Sequence, residues 1–309
     1  MRRFFRTLKL ALLRAFQHDA LGFAKGSAFS MILTFFPALL LGTSVMLMFS
    51  STRDFAMDFA EDITRFLPPG TGLAVRAYFE ATQARSGRIL LLASIVTLWT
   101  ASGVMTTWML YFRSAYKMQN TWGIIKERFI AFGLVIMAGV PLSFATFLVA
   151  FGNEIEQRVA ERMAYELGHL VEPYIILLWT ILRWIIAILT GVSVMALIYH
   201  HAVPRTQRWH SVLAGAALAT GLWFPATVGF GWYVRHFAQY SVFYGSLAAA
   251  IVLLVWLYII SLIILVGAEF NAILYPRAFG LSDTAPLPAA PQAAPKAPPA
   301  PPKKISKAH

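Results

Sequence analysis

The chain has 309 residues, of which 58% are hydrophobic and only 13% are charged, and its formal net charge is +12. Soluble domains carry about 25% charged residues, so this composition excludes an ordinary water-exposed globular protein. The absence of cysteine from the sequence excludes disulfides, thiolate metal sites and cysteine nucleophiles.

The N-terminal segment, residues 1–25, is predicted to contain a basic amphipathic helix. At helical spacing, four apolar side chains share one face and three arginines lie largely opposite: Phe5, Leu8, Leu12 and Phe16 against Arg3, Arg6 and Arg14. This pattern favours a helix that lies in the interface of an anionic membrane leaflet, with a plain cytoplasmic lead-in as the alternative. No small-residue cleavage site follows a short apolar core, so we expect no removed signal peptide.

Six apolar stretches follow, and each is long enough to cross the bilayer core, which needs about 20 residues. They are residues 26–50, 89–112, 129–151, 174–199, 211–233 and 245–274. Backbone amides find no water in hydrocarbon, so each stretch is predicted to be a helix. The sequence therefore predicts an all-α, polytopic membrane bundle of six transmembrane helices within a domain of residues 26–275.

Three further segments between the spans show apolar residues at helical spacing: 53–66, 73–85 and 154–170. We interpret them as amphipathic helices that cover the outer face of the bundle, with ligand contact as the less favoured alternative. The Ala/Pro-rich tail, residues 282–309, cannot bury a core, so it is predicted to be disordered and cytoplasmic.

Basic residues segregate between the two sets of segments that flank the spans. The N-terminal segment, the loops at 113–128 and 200–210 and the C-terminal tail together hold 17 Lys and Arg residues against three acids. The three loops on the other side hold eight Lys and Arg residues against ten acids. The positive-inside rule therefore predicts that both termini are cytoplasmic. This segregation explains the basic charge without nucleic acid, so no nucleic-acid partner is predicted.

Several short motifs occur in an order that matches a known family. They are Ala24-Lys25-Gly26-Ser27-Ala28-Phe29-Ser30, Phe35-Phe36-Pro37, Phe66-Leu67-Pro68, Tyr199 with Pro204 and Gly215-Ala216, Tyr244-Gly245-Ser246-Leu247, Trp256-Leu257-Tyr258 and Gly267-Ala268-Glu269. Over roughly residues 10–275 the chain thereby resembles the YihY/BrkB family of bacterial inner-membrane proteins. The resemblance implies a six-span protein of the cell inner membrane, linked to the cell envelope and suspected of handling lipids. Some members carry an old ribonuclease label, and the resemblance supplies no catalytic residues.

Arg183 is the most costly residue in a predicted span, because an arginine near the bilayer middle costs about 2.5–3.5 kcal/mol on insertion scales. It is predicted to face the bundle interior or a wet cavity and to bind an anion such as a phosphate. The alternative is snorkelling of its side chain to the outer interface. The polar second span adds Thr97, Thr100 and Thr106 as candidates for the same substrate path, with hydrogen bonding between helices as the alternative.

Glu269 lies about five residues from the cytoplasmic end of the last predicted span. At 1.5 Å per residue, its depth differs from that of Arg183 by roughly 15–20 Å, so a direct pair is not expected. We predict instead an interfacial polar cluster of Lys25, Glu269 and Asn271, most simply interpreted as an ion pair that locks helices together.

Pro37, Pro141 and Pro225 are each predicted to interrupt a span, because proline removes a helical hydrogen bond and kinks the helix. Transporters often use such interruptions to line a substrate site, although proline is also common in spanning helices. Three interrupted spans in one chain favour a bundle that rearranges.

The sequence predicts no metal site, no cofactor and no catalytic residue. His200, His201 and His210 gather near one loop, but residues 200–210 include no acid, and a metal-dependent nuclease needs several histidines and carboxylates. No glycine-rich phosphate loop with a following lysine and no G-x-S-x-G motif occurs in the sequence.

The sequence therefore favours a non-enzymatic, non-ATPase transporter or flippase-like protein for an anionic envelope lipid or other amphiphile. Membrane lipids are the expected partners, with envelope proteins as further candidates. The first alternative is a structural or scaffolding protein of the cell envelope. A ribonuclease is the less favoured alternative.

Overall fold

A computed structural model of the chain describes residues 2–48, 71–118, 122–167, 172–204, 207–237 and 247–276. The regular structure in these ranges is helical throughout. Seven helices are seen in them: α1 Arg2–Gln17, α2 Ala20–Met48, α3 Thr71–Ala115, α4 Ile124–Leu167, α5 Glu172–His201, α6 His210–Phe237 and α7 Leu247–Leu274. The predicted all-α fold class is confirmed.

Six of these helices are long and apolar enough to cross a membrane. Their candidate spans are Ala20–Gly42, Leu90–Ala115, Ile124–Thr146, Ile176–His201, His210–Val234 and Ala250–Leu274. Each span coincides with one predicted stretch, in the same order. The short helix α1 precedes them and has the amphipathic pattern described above.

The first spanning helix begins at Ala20 rather than at residue 26. Asp19 adopts a left-handed φ of 56°, so the backbone turns between the end of α1 and the start of α2. Its carboxylate Oδ1 accepts a hydrogen bond of 3.2 Å from the amide of Gly22, and this caps the free amides at the start of α2. The boundary between α1 and α2 therefore lies at a capped turn, and Lys25 lies inside α2.

Helices α3 and α4 are longer than the predicted spans. They have 45 and 44 residues, or about 65 Å each, roughly twice the thickness of the hydrocarbon core. The predicted outer helix at 73–85 is the first part of α3, and α4 continues through most of 154–170. The helical hydrogen bonds of α3 and α4 continue beyond the candidate spans because no proline lies where each span ends. The predicted helix at 53–66 and the tail at 282–309 lie outside the described residues.

Each spanning helix packs against the next one along the chain, and α7 packs against α2. The spanning helices thus form a closed ring in chain order, with an additional contact between α3 and α7 across it. Helix α1 packs mainly against α7 and less extensively against α2. This topology brings the first and last parts of the spanning domain together.

Pro37, Pro141 and Pro225 lie inside α2, α4 and α6, respectively. Each helix continues for about three turns or more on both sides of its proline. The helices therefore run through all three positions, in contrast to the predicted interruptions. A proline removes only one backbone hydrogen bond, and in hydrocarbon the remaining ladder is strongly retained.

Most buried side chains lie at the end of the bundle where α1 joins α2. This packed end consists of residues 20–30, 102–118, 124–138, 194–204, 207–219 and 261–276. Its largest fully buried side chains include those of Tyr111, Phe112, Tyr116 and Tyr199. At the opposite end, the buried residues among the described side chains are Ser44, Ala93, Ala145 and Arg183.

Candidate functional site

A buried carboxylate, Glu269, lies at the centre of the packed end. Its side chain is 0% exposed, and it belongs to a candidate membrane-spanning helix. Oε1 lies 2.6 Å from Nδ1 of His18 and accepts a 3.0 Å hydrogen bond from the hydroxyl of Tyr111. Oε2 has no hydrogen-bond partner among the described residues. Both partners therefore act on one oxygen, and the other oxygen is left bare in a dry environment.

Three elements bring these side chains together. His18 follows the last turn of α1, where its backbone amide still donates to the carbonyl oxygen of Arg14, and Asp19 then redirects the chain into α2. Tyr111 lies one turn before the end of α3. Since α7 packs against α1, α2 and α3, Glu269 is enclosed by all three.

Asn271 joins α7 to the start of α6 two residues further on. Its Oδ1 accepts a 2.6 Å hydrogen bond from the amide of Gly215, and its Nδ2 donates to the carbonyl oxygen of Val212 at 3.2 Å. The two helices approach so closely that a methyl group on Gly215 would overlap the carbonyl oxygen of Gly267. Glycine at both positions permits the contact, and the asparagine amide satisfies the backbone groups on the facing helix.

Two buried tyrosines complete the polar layer. The hydroxyl of Tyr199 donates to the carbonyl oxygen of Ile264 at 2.7 Å. Tyr116 follows α3, and burial, together with the nearby charge of Glu269, raises the pKa of its hydroxyl well above the usual range. Its side chain is almost fully buried, so it contributes a neutral phenol to the layer. We refer to His18, Tyr111, Tyr116, Glu269 and Asn271 as the Glu269 cluster.

The structure brings Glu269 and Asn271 into one polar layer, as predicted, but it does not bring Lys25 to them. Lys25 is exposed, whereas Glu269 is enclosed and is paired with His18 instead. The difference arises because α2 begins at the Asp19 cap. His18 then lies nearer to α7 than the side chain of Lys25.

Arg183 lies in α5, in the opposite half of the bundle. Its side chain is 9% exposed, whereas the neighbouring Leu182, Trp184 and Ile185 are 45–47% exposed. In a spanning helix, exposed apolar residues mark the lipid-facing side, so Arg183 faces the protein interior. The side chain therefore lies among the helices, and its role in a substrate path stays a prediction.

The three candidate threonines of α3 differ in their hydrogen bonding. Thr100 and Thr106 donate to carbonyl oxygens of their own helix, those of Val96 at 2.9 Å and Ser102 at 2.8 Å. The Oγ1 atom of Thr97 is buried and has no hydrogen-bond partner among the described residues. Thr97 is therefore the threonine whose hydroxyl is still available to another group.

The histidines near residues 200–210 make ring contacts. His200 stacks on Trp209 with ring centroids 4.1 Å apart, and His210 meets the ring of Tyr275 at 5.6 Å. Nδ1 of His201 lies 3.1 Å from the carbonyl oxygen of Leu197. Within the described residues, no group of three or more His, Asp and Glu side chains could hold a metal ion.

Sequence reasoning missed His18, Tyr111 and the position of Arg128. The guanidinium of Arg128 lies over the Trp99 ring, 4.6 Å from its centroid, so it lies against α3 rather than in a loop. Asp19 before a long apolar run is a recognisable helix N-cap, and it would have placed His18 at the entrance to the first span. No comparable signal marks Tyr111.

The fold and the buried polar residues define a polytopic helical integral membrane protein. Residues 11–291 match the family described as "Virulence factor BrkB", and the chain belongs to that family, as the resemblance implied. No solved structure shows a significant match to the chain.

Two known proteins are similar to this chain over much of its length. The "Putative ribonuclease-like protein YfkH" of Bacillus subtilis (strain 168) is 29% identical over 193 residues, which cover 62% of this chain and 68% of that protein. The "UPF0761 membrane protein" of Laribacter hongkongensis is 24% identical over 268 residues, or 84% of this chain and 58% of that protein. The chain thus spans little more than half the length of the second relative.

Proposed function

We propose that this protein is a transporter, of a flippase-like kind, that moves an anionic amphiphile such as an envelope lipid without hydrolysing ATP. The observation that carries the proposal is the burial of Arg183 within a spanning helix. A cation in this position is costly unless an anion or a polar cavity compensates it. A phosphate-bearing headgroup is the anion that a guanidinium binds best, because the two can form paired hydrogen bonds.

Packing differences within the bundle support the same proposal. Arg183 lies in the half of the bundle where few described side chains are fully buried. Thr97, with its unpartnered hydroxyl, lies in the same half on α3. A loosely packed half can separate its helices to admit a lipid headgroup, while the packed end holds the bundle together.

Reconstitution into vesicles tests the proposal with fluorescent phospholipids that carry either an anionic or a zwitterionic headgroup. We expect the protein to accelerate movement of the anionic lipid between leaflets. Arg183→Gln should lower that rate by on the order of tenfold or more, the equivalent of one charged hydrogen bond. Arg183→Lys should retain part of the rate, because lysine keeps the positive charge but cannot form the paired hydrogen bonds of a guanidinium.

Arg88→Gln is the matched control, because Arg88 is an exposed arginine near the outer start of the α3 span. The Arg88→Gln substitution removes the same charge from an exposed position rather than a buried one, so the variant should move lipid at the wild-type rate. Equal rates for Arg183→Gln and Arg88→Gln would contradict the proposed role of Arg183. Absence of lipid movement in the wild type would contradict transport and favour the scaffolding alternative.

The ribonuclease alternative is motivated by the name of the Bacillus subtilis relative. We propose that this chain is not an enzyme, and the same purified protein tests that proposal with labelled RNA and added divalent metal. Cleavage that His200→Ala or His210→Ala abolishes would overturn it. Cleavage that survives both substitutions would point to a contaminating nuclease.

We further propose that the protein resides in the bacterial inner membrane with both termini in the cytoplasm. The distribution of 17 Lys and Arg residues on the N-terminal side against eight on the other supports this orientation. Because the chain lacks cysteine, single variants can report it with a membrane-impermeant maleimide. In intact spheroplasts, Arg88→Cys should be labelled and Gln17→Cys should be protected; the reverse result would invert the orientation.

A further inference from the structure

The Glu269 cluster contains a carboxylate that faces one group able to carry a positive charge among the described residues, the imidazole of His18. Glu269 is 0% exposed, and a buried carboxylate is strongly unfavourable unless it is paired or protonated. His18, with its side chain 16% exposed, lies 2.6 Å away. The imidazole is therefore both the partner of Glu269 and the route from the carboxylate to the aqueous interface.

The groups that face Glu269 from the other helices are neutral. Helix α3 provides the hydroxyl of Tyr111 and, in the adjoining turn, that of Tyr116. Helix α6 is joined to α7 through backbone groups that bind Asn271. The nearest described cation of α2, Lys25, is exposed. The charge balance of the site thus depends on the protons held by His18 and Glu269.

We propose that His18 and Glu269 form a proton-binding site that controls the docking of α1 on α7. With one proton on the pair, an imidazolium faces a carboxylate and α1 is held in place. A second proton binds to a lone pair of the bare Oε2 atom and forms an O–H bond, which neutralises the carboxylate. The imidazolium then keeps its own proton but has lost its counter-charge, and it moves toward the aqueous interface together with the end of α1.

Helix α1 is suited to such movement. Its inner side packs through the small residues Ala11 and Ala15, which are 0% and 2% exposed, and Phe4 meets Phe270 with ring centroids 5.8 Å apart. Its outer side already exposes Phe5 and Phe16. A helix with apolar and basic residues on its outer side is stable in the interface of an anionic leaflet, so release from α7 exposes little additional apolar surface to water.

Spin labels can measure the docking of α1 directly in this cysteine-free chain. Phe5→Cys on α1 and Leu274→Cys at the end of α7 are both exposed positions. The labels are attached at neutral pH in nanodiscs, and their separation is then measured from about pH 8 to about pH 4, a range that brackets ordinary imidazole and carboxyl titrations. We expect one separation at neutral pH and a second, longer one that grows reversibly on acidification.

Glu269→Gln carries an uncharged amide in place of the carboxylate, so a protonated His18 has no counter-charge and the longer separation should already appear at a pH where the wild type is docked. Glu127→Gln is the matched control, because Glu127 is a buried carboxylate that pairs with Arg113 at 2.9 Å between α3 and α4. It should retain the wild-type transition. A wild-type separation that does not change with pH would overturn the proposal, as would a Glu269→Gln protein with a wild-type transition.

Tyr111→Phe provides a second variant that keeps the carboxylate and the size of the side chain. It removes one hydrogen bond to the charged form of Glu269, so protonation becomes easier and the transition should move to higher pH. The shift should be roughly one pH unit, the size expected from the loss of one hydrogen bond to a charged group. A transition that stays in place or moves to lower pH would contradict the assignment to Glu269.

Discussion

Helix α6 passes from one kind of packing to another along its own length. Near its start, Val212 and Ala216 are fully buried and the amide of Gly215 is bound by Asn271. Two to three turns later, Phe224 and Val228 are 58–60% exposed. The same difference recurs in α7, where the described side chains from 250 to 260 are half-buried or exposed and most of those from 261 to 272 are buried.

This difference separates two roles within one bundle. The packed end closes the ring of helices through small residues, buried tyrosines and amide hydrogen bonds, so the spanning helices are expected to resist movement there, whereas α1 lies outside that ring. The opposite end has few buried side chains among those described, and it holds Arg183. Conformational change in a packed protein concentrates where local contacts are few, so the proposed transport function places the entry of the transported molecule there.

The largest expected effect is at the contact between α6 and α7. Gly215→Val should destabilise the folded protein by more than about 3 kcal/mol, because its Cβ would overlap the backbone carbonyl of Gly267, which cannot move without shifting a helix. Unfolding free energy in mixed micelles, or loss of the monodisperse peak where the variant fails to fold, measures the effect.

Gly221→Ala is the control for this substitution in the same helix. A Cβ added there meets nothing within 4 Å, so alanine should be neutral or stabilising by up to about 1 kcal/mol through helix propensity. Similar losses of stability in Gly215→Val and Gly221→Ala would mean that α6 is packed equally along its length, and the comparison of the two ends would fail.

The next effect concerns the amide hydrogen bonds of the packed end. Asn271→Leu keeps the size of the side chain but leaves the amide of Gly215 and the carbonyl oxygen of Val212 without this partner. The expected loss of unfolding free energy is about 1–3 kcal/mol, from two hydrogen bonds of ordinary strength. The same micelle titration measures it.

Thr227→Val provides the comparison at the opposite end. The hydroxyl of Thr227 donates to the carbonyl oxygen of Trp223 in its own helix at 2.8 Å, in an exposed setting. Its removal should change the unfolding free energy by less than about 0.5 kcal/mol. An Asn271→Leu variant as stable as Thr227→Val would show that the asparagine does not hold α6 to α7.

The six spans were predictable because hydrocarbon imposes length, apolarity and helical backbone at once. The side-chain partners of individual residues in the bundle were less predictable. The sequence placed Glu269 near one end of a span, but it did not show that an N-cap at Asp19 would direct His18, rather than Lys25, toward α7. Such pairings depend on the rotation of each helix about its axis, which charge counts and apolar run lengths do not determine.

Arg183 and the three prolines also differ in how far the sequence predicted their structure. The cost of an arginine in hydrocarbon favoured an interior position for Arg183 over snorkelling, and its side chain is buried in the structure. A proline in an apolar run, in contrast, does not reveal whether neighbouring turns hold the helix together, and α2, α4 and α6 all continue past theirs. Which helices surround Arg183 depends on packing that composition does not encode.

The smallest expected effect distinguishes two threonines of α3. Thr97→Val replaces a buried hydroxyl that has no partner among the described residues, so it should stabilise the protein by up to about 1 kcal/mol, because an unsatisfied polar group is removed. Thr100→Val removes a hydroxyl that is bonded to the carbonyl oxygen of Val96, so it should be neutral or slightly destabilising. In the lipid assay, Thr97→Val should slow movement of the anionic lipid if that hydroxyl contacts the headgroup, and Thr100→Val should not. A gain in stability together with an unchanged rate would remove Thr97 from the candidate substrate path.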